Sequence, residues 1–320
     1  MSVAALPRSN GDETAVIGLG TAALGRPAYI TTNHGTDLHG RTSIEQMLEA
    51  AVDVFDAAYA NGVRYFDAAR SYGRAEEFLA AWIQRRNPLD IFVASKWGYT
   101  YVGDWKIDAD VQEVKDHHVE AYRRQVVESK NLLGDHLNLY QIHSVTPDSP
   151  TLDDATLLRE LLELKLSGVH IGMSTSGPRQ AEVLQRVAQL DVDGVRLFDA
   201  VQVTWNLLEQ STTEALTELH DAGITVIIKE ALANGRLAPA GDRQITIEDA
   251  SDPADVVALR VAIEQSFADV VLSGVINTTQ LLSNLSAQSA EPATPRLEPI
   301  PGYAIDRDEY WEQRSRRAWT

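Results

Sequence analysis

The 320-residue sequence contains no cysteine. Disulfide scaffolds, thiol nucleophiles and cysteine metal sites are therefore excluded, and the composition fits a reducing compartment, so we expect a cytoplasmic location. No apolar run approaches the ~20 residues that a membrane span needs. Residues 1–10 also lack the basic start and apolar core of an export signal. We therefore expect no membrane partner.

Positive charge is scarce as well. The 28 lysines and arginines face 46 aspartates and glutamates, which gives a formal net charge of −18. A surface that binds a polyanion needs clustered basic residues, so we do not expect nucleic acid as a partner. Hydrophobic residues make up 44% and charged residues 23%, as in an ordinary globular protein, so an ordered fold is expected. A monomer and a homo-oligomer are both left open.

Eight short apolar runs alternate with longer stretches of helical periodicity. Their length and β-branched residues predict strands that are buried on both faces. The runs are Ala15–Gly20, Arg64–Ala68, Ile91–Ser95, Leu137–His143, His170–Ser174, Ala200–Thr204, Ile224–Ile228 and Val270–Ile276. The first helical stretch begins at Ser43 with the capping-box residue Gln46 and ends at Asn61-Gly62, directly before the second run.

This alternation allows a closed (β/α)8 barrel or a doubly wound open sheet. Gly18-Leu19-Gly20 lacks the third glycine and the following helix of a dinucleotide fingerprint, so it gives the open sheet little support. We therefore predict an α/β fold, a single (β/α)8 TIM barrel domain over 1–320, with the barrel at about 14–288 and a proline-rich C-terminal extension at 289–320. Long loops after strands 1 and 3, Leu24–Thr42 and Trp97–Glu120, are expected either to form pocket walls or merely to pack on the barrel.

Polar residues stand at the ends of three successive predicted strands. Asp67, Lys96 and His143 end the second, third and fourth, and Tyr72 follows Asp67 by five positions. Because the carboxyl ends of barrel strands converge at one mouth, an acid, a phenol, an ammonium and an imidazole are predicted to share one site.

Phe66-Asp67-Ala68-Ala69-Arg70-Ser71-Tyr72-Gly73, Ser95-Lys96, Tyr140-Gln141-Ile142-His143-Ser144 and Gly172-Met173-Ser174 resemble motifs of the aldo-keto reductase superfamily. The resemblance implies an NAD(P)(H)-dependent oxidoreductase that moves a hydride between a nicotinamide and an aldehyde, ketone or sugar. It implies that Tyr72 is the general acid/base and that His143 orients the substrate oxygen. Lys96, held by Asp67, would lower the pKa of the phenol.

The resemblance also implies a cofactor site, with NADP(H) as the family default. Its residues would be Gly20, Thr21, Ser174, Thr175, Gln202, Lys229, Leu232, Gly235, Gly274, Ile276, Gln280 and Asn284. Three of them depart from the common pattern: Thr175 replaces asparagine, Lys229 replaces an aromatic that stacks on nicotinamide, and Ile276 replaces an arginine that grips the 2′-phosphate. Because that arginine is missing, NAD(H) and NADP(H) are equally expected as the cofactor. Trp205 is a candidate for the aromatic ring that stacks on the nicotinamide.

Two alternatives remain open. Lys96 could act as the nucleophile of a Schiff-base lyase, since barrel aldolases also use lysines at strand ends. The three departures also allow a cofactor-binding accessory protein with little turnover. No metal site is expected, because the spacing of His34 and His39 is not that of an ordered ligand set. His117 and His118 are expected on a solvated helix.

Overall fold

Eight parallel strands close into a barrel in the computed structural model, which describes residues 4–9, 15–31, 34–239, 241–243, 252–289 and 302–320. The barrel strands are β1 (Val16–Gly20), β2 (Tyr65–Asp67), β3 (Phe92–Trp97), β6 (Leu137–Val145), β7 (His170–Thr175), β10 (Ala200–Thr204), β11 (Thr225–Lys229) and β12 (Val270–Gly274). β1 pairs with both β2 and β12, so the sheet has no free edge. The predicted TIM barrel is confirmed.

Two short antiparallel ribbons lie outside the barrel among the described residues. β4 (Tyr99–Tyr101) pairs with β5 (Glu113–Lys115), and β8 (Asp191–Val192) pairs with β9 (Val195–Arg196). The first ribbon occupies the long loop after β3. This loop was expected from its length, but its hairpin was not predicted.

Ten α-helices are found in the same described ranges. They are α1 (His34–Asp37), α2 (Ile44–Ala60), α3 (Ala75–Arg86), α4 (Val119–Leu133), α5 (Ala155–Leu166), α6 (Gln180–Ala188), α7 (Thr213–Asp221), α8 (Ala254–Ile263), α9 (Thr278–Ser289) and α10 (Arg307–Ser315). Short 3-10 helices lie at Gly134–His136, Pro150–Leu152 and Ala233–Gly235. The capping box of Ser43 and Gln46 is present at the start of α2, as the sequence predicts.

The barrel interior is filled by large side chains at its amino-terminal end. Tyr65 and Phe92 stack there with ring centroids 5.3 Å apart. A Cβ on Gly18 would lie 2.9 Å from the Tyr65 ring, so Gly18 serves the packing of the barrel. A second layer packs between barrel and helices, with Phe55, Phe66 and Trp82 in mutual contact. Because these rings fill the centre, any ligand must bind at the other, carboxyl end of the strands.

Three segments come together at that carboxyl end. The loop after β1 carries α1, the loop after β3 carries the β4–β5 ribbon, and α10 with the residues after it returns from the end of the chain. The prolines of the predicted extension (Pro292, Pro295, Pro299 and Pro301) and residue 14 at the predicted barrel start lie outside the described residues. In the described part of the chain, no helix combines the length and apolarity required to cross a membrane.

Candidate active site

The Lys96 ammonium joins the acid and the phenol. It is completely buried and forms a very short ion pair with Asp67, which is 2% exposed. The same nitrogen donates to the Ala68 carbonyl at 3.0 Å and lies 3.4 Å from the Tyr72 hydroxyl. The three side chains therefore form one connected group, as predicted from the strand ends at Asp67 and Lys96 and from Tyr72 five positions after Asp67.

Asp67 is held in place by further donors from several strands. Gln202 on β10 and Gln141 on β6 donate to its second carboxylate oxygen, at 2.9 and 3.3 Å. The Thr21 amide and hydroxyl both donate to the Asp67 backbone carbonyl, at 2.9 and 2.8 Å. The carboxylate thus has little freedom to turn away from Lys96.

Tyr72 sits on a turn that the loop after β1 touches closely. A Cβ on Gly25 would lie 2.2 Å from the Tyr72 carbonyl oxygen, and one on Gly73 would lie 2.3 Å from the Gly25 carbonyl oxygen. The backbone of Gly73 has φ of +58°, which favours glycine. Two glycines therefore allow the loop and the turn to pack directly and so fix the position of the phenol.

His143 is presented by an irregularity at the end of β6. The pairing of β6 with β7 shifts register between Ile142 and Val145, and Ser144 adopts φ of +51°. Such a bulge redirects a side chain at a barrel rim. The His143 ring lies 5.4 Å from the Tyr72 ring, edge to face, and its Nδ1 lies 3.4 Å from the Ser71 hydroxyl. The imidazole and the phenol therefore face the same space.

His117 supports this arrangement and was not predicted to. It is 5% exposed, and its Nε2 lies 2.7 Å from the His143 carbonyl oxygen. Burial lowers the pKa of His117 to about 4. The neutral ring can donate its Nε2 proton and hold the irregular strand end. The expectation of a solvated helix was wrong for His117, because its ring is buried against Trp97 and Tyr99.

The pKa directions at the site favour a protonated phenol beside a neutral imidazole. Burial raises the pKa of Tyr72 well above its usual value, Asp67 raises it further, and Arg26 opposes the change. This is opposite to the shift expected from Lys96, whose charge is balanced by Asp67. Burial, then Lys96 and Lys229, lowers the pKa of His143 well below its usual value.

A buried arginine forms one wall of the site. Arg26, 2% exposed, donates at 2.9 Å both to the Ser71 carbonyl and to Glu113 on β5. Its guanidinium lies 5.4 Å from the centroid of the Tyr72 ring and 4.6 Å from that of Trp319. Both long loops and the end of the chain therefore meet at the site. Both loops therefore lie beside Tyr72, as the wall interpretation requires, but nothing in the sequence indicated Arg26.

With this geometry in place, the comparisons with known proteins decide the family. A model of the aldo/keto reductase family matches residues 16–291. The chain belongs to the aldo/keto reductase family.

Individual relatives are distant. The chain is 29% identical over 248 residues to the aldo-keto reductase YhdN of Bacillus subtilis, and this match covers 74% of the chain and 64% of the relative. It is 24% identical over 223 residues to a D-threo-aldose 1-dehydrogenase of a Pseudomonas species, covering 62% of the chain and 66% of that protein.

Solved structures share the fold. An aldo-keto reductase from Bacillus halodurans in its holo form superposes with a TM-score of 0.68 at 18% identity, covering 96% of this chain and 95% of that one. A glycerol dehydrogenase from Gluconobacter oxydans gives a TM-score of 0.65 at 18% identity, with the same coverage. At this identity the likeness shows the barrel alone.

Four residues that the family resemblance assigns to the nicotinamide lie on three neighbouring barrel strands, at their carboxyl ends except for Gln202, which is the middle residue of β10. Gln202 pairs in register with Ser174, and Lys229 is the last residue of β11. The Ser174 hydroxyl accepts a hydrogen bond from the Ser144 amide at 2.8 Å and can still donate its own proton. Thr175 donates to Gln180 at 2.9 Å, behind the strand.

Trp205 does not belong to this surface. It is completely buried, its indole nitrogen donates to Thr213 at 2.9 Å, and its ring packs edge to face on Phe267. The expectation that Trp205 replaces the missing nicotinamide stack was therefore wrong, because the residue forms part of the layer between barrel and helices.

The segment after β11 has an unusual backbone. Glu230, Ala233, Asn234 and Gly235 all have positive φ, between +47° and +86°. Non-glycine residues in this region are strained, and such strain is concentrated at functional sites. Leu232 and Gly235, both assigned to the cofactor, lie within this stretch.

The remaining assigned residues follow β12. Gly20 and Gly274 pair in register, and a Cβ on Gly274 would meet no atom within 4 Å, so the space beside it is open. The Gln280 side chain accepts from the Ile276 amide at 3.1 Å and donates to Asp37 at 2.9 Å. Asn284 is 3% exposed and donates to Ser273 at 2.9 Å, so it joins α9 to β12.

The end of the chain is tied to the same segment. Arg314 on α10 makes a two-point ion pair with Glu230, with its Nε 2.8 Å from the carboxylate. Asn206 donates to the Glu230 carbonyl at 2.9 Å and lies 3.0 Å from the Tyr310 hydroxyl. In the described ranges, no group of three or more histidine, aspartate or glutamate side chains is placed to share a metal ion.

Proposed function

We propose that this protein is a nicotinamide-dependent oxidoreductase that interconverts an aldehyde or ketone and the corresponding alcohol, with sugars among the candidate substrates. The observation that carries the proposal is the Lys96 ammonium, which is paired with Asp67 and lies 3.4 Å from the Tyr72 hydroxyl, with the His143 ring facing that phenol. The D-threo-aldose and glycerol dehydrogenases among the similar proteins act in this reaction class by name.

The residues suit a bound dinucleotide. The segment Glu230–Gly235, with its four positive-φ residues, and the start of α9 offer backbone amides of the kind that bind phosphate groups. Gly274, beside which the space is open, ends β12, the strand that pairs with β11 and precedes α9. Ser174 and Gln202 offer a hydroxyl and an amide to the nicotinamide carboxamide. When bound, the cofactor supplies or accepts the hydride at the substrate carbon.

The protein's own groups handle the proton. Tyr72, protonated because its pKa is raised, donates its proton to the carbonyl oxygen as that oxygen gains negative charge. The resulting phenolate lies beside Lys96, whose charge stabilises it. The neutral His143 ring donates a hydrogen bond to the same oxygen and orients the carbonyl. In the oxidation direction the same steps run in reverse.

The Schiff-base alternative is not favoured by the geometry. A lysine attacks a carbonyl only with a free electron pair on its nitrogen. The three protons of the Lys96 ammonium have three acceptors, the Asp67 carboxylate, the Ala68 carbonyl and the Tyr72 hydroxyl. The residue is also completely buried.

The choice between NAD(H) and NADP(H) depends on the end of the site that would hold the adenosine part of the cofactor. Ile276 brings no charge to the place where the family's arginine would meet a 2′-phosphate, and Gln280 brings the Asp37 carboxylate there. Arg41 lines the same small pocket as Ile276 and opposes this negative charge. Because a carboxylate repels a phosphate and accepts from a ribose hydroxyl, we expect NAD(H) to bind at least as tightly as NADP(H).

Two measurements test the proposal. Fluorescence titration of the folded protein with NADH and NADPH should show binding, and binding of neither would contradict it. Tyr72→Phe should reduce kcat for glyceraldehyde by at least ~10²-fold while cofactor binding is retained. Tyr59→Phe, a matched change near the end of α2 that touches Trp82 and Asp90 and not the site, should leave kcat unchanged. Near-normal turnover in Tyr72→Phe would refute the assigned mechanism, and binding without turnover of any carbonyl compound would favour the accessory role.

A further inference from the structure

The charged side chains around the site do not balance. Three cations are each matched with one carboxylate by an ion pair. The pairs are Lys96 with Asp67, Arg26 with Glu113, and Arg314 with Glu230. The fourth cation, Lys229, reaches only Glu230, at 3.6 Å, and that carboxylate already makes two contacts with Arg314. Within the described residues of this group, one positive charge is therefore left over.

Lys229 lies on the inner face of the mouth. It pairs in register with Thr204, and its ammonium donates to the Thr204 hydroxyl at 2.6 Å. Thr204 and Gln202 are two positions apart on β10 and so point to the same side of the sheet. Gln202 donates to Asp67 in the barrel interior. Lys229 consequently sits one layer above the Asp67–Lys96 pair, with a side chain only 15% exposed.

The charge of Lys229 is felt where the reaction would occur. Besides burial and Lys96, Lys229 is the next cause of the lowered pKa of His143. Burial lowers the pKa of Lys229 itself to about 8, so the ammonium is the major form at pH 7. A field that opposes a positive charge on His143 opposes any other cation bound beside it.

We propose that Lys229 makes the site select the reduced nicotinamide over the oxidised one. This rests on the proposed function. The oxidised ring carries a positive charge and the reduced ring none, whereas the rest of the two molecules is alike. To exchange a hydride with a carbonyl held by Tyr72 and His143, the ring must lie beside those residues, within the field of Lys229. The oxidised form therefore meets a repulsion that the reduced form does not.

The selection has a consequence for the direction of the reaction. A site that favours the reduced form takes it up in preference and releases the oxidised form readily. Carbonyl reduction is then the direction in which product cofactor leaves most easily. An uncharged aromatic ring at position 229 would not distinguish the two forms of the cofactor by charge. Lys229 therefore acts as a specificity residue for the redox state of the cofactor.

The test compares dissociation constants at pH 7 for NADH and NAD⁺, measured by fluorescence and calorimetry without substrate. Lys229→Met removes the charge and keeps the length of the side chain. We expect this variant to lower the dissociation constant of NAD⁺ about tenfold and to change that of NADH much less. Lys229→Arg should keep the preference of the wild type. Lys130→Met, which removes an exposed lysine from α4, should change neither constant.

The outcomes separate the two proposals. If the folded wild type binds neither form, the proposed function fails, and the inference fails with it. If it binds both forms and Lys229→Met leaves their ratio unchanged, only the inference is refuted. A parallel loss of affinity for both forms would also refute it, since that result assigns Lys229 a purely structural role. Thermal melts of each variant establish that it is folded, and Lys229→Gln provides a second uncharged variant.

Discussion

Asp67→Asn should destabilise the fold far more than its small change in shape suggests. Asp67 is 2% exposed and accepts from Lys96 through one oxygen and from Gln141 and Gln202 through the other. An amide has one oxygen and one donor group. If its oxygen accepts from Lys96, its NH₂ faces two other NH₂ groups, and the ammonium loses its counter-charge.

The size of the effect follows from burial. Leaving one member of a buried ion pair without its partner costs roughly 3–5 kcal/mol, because the remaining charge has neither water nor a counter-ion. Each unmade hydrogen bond of a buried donor adds about 1–3 kcal/mol when it cannot relax. We therefore expect the free energy of unfolding of Asp67→Asn to fall by about 4 kcal/mol or more, measured by urea denaturation at pH 7.

Two further variants make this interpretation testable. Asp90→Asn removes the carboxylate of an exposed pair with Arg64 and should leave stability almost unchanged. Asp67→Asn combined with Lys96→Met removes both charges and should recover part of the lost stability. A loss below about 1 kcal/mol in Asp67→Asn, or a double variant less stable than the single one, would refute the reasoning from an unpaired buried charge.

Two other predictions concern the walls of the site. Gly25→Ala should lower both kcat and the melting temperature, because the new Cβ would overlap the Tyr72 carbonyl oxygen. The control Gly35→Ala, where a Cβ has room, should change neither quantity. A normal kcat in Gly25→Ala would contradict the close approach of loop and turn. Burial raises the pKa of Glu230, but Arg314 and then Lys229 hold it at about 2. Because this pKa is depressed in the fold, the carboxylate adds about 3 kcal/mol to the free energy of unfolding above pH 4.5, and this contribution is lost as the pH falls towards 2. In urea denaturation, the free energy of unfolding of Glu230→Gln should therefore depend less on pH than that of the wild type.

The sequence was sufficient for the parts of the protein that depend on short-range patterns. Strand positions, the capping box at Ser43 and the order of the barrel follow from periodicity and turn residues. The grouping of Asp67, Lys96 and His143 follows from one further fact, that parallel strands end at the same mouth. Each of these inferences needs only neighbouring residues and the topology.

The contacts between loops could not be predicted from the sequence. Arg26 meets Glu113 across 87 positions, and Arg314 meets Glu230 across 84. Neither pair has a local signal, because loop paths depend on packing. The pKa of Tyr72 shows a similar limit. The neighbouring ammonium could be predicted, but the shift depends on burial and on the charge of Asp67, which balances it.

Because Trp319 and Arg314 contribute to the wall of the site, the parts of the site are assembled in a fixed order during synthesis. During synthesis the ribosome releases all eight barrel strands before residues 307–320 appear, and domains can begin to fold as they emerge. A closed barrel with Asp67, Tyr72, Lys96 and His143 in place can therefore form while Glu230 still lacks Arg314 and Arg26 lacks the Trp319 ring. The enclosed site is completed only when the last fourteen residues of this sequence have left the ribosome.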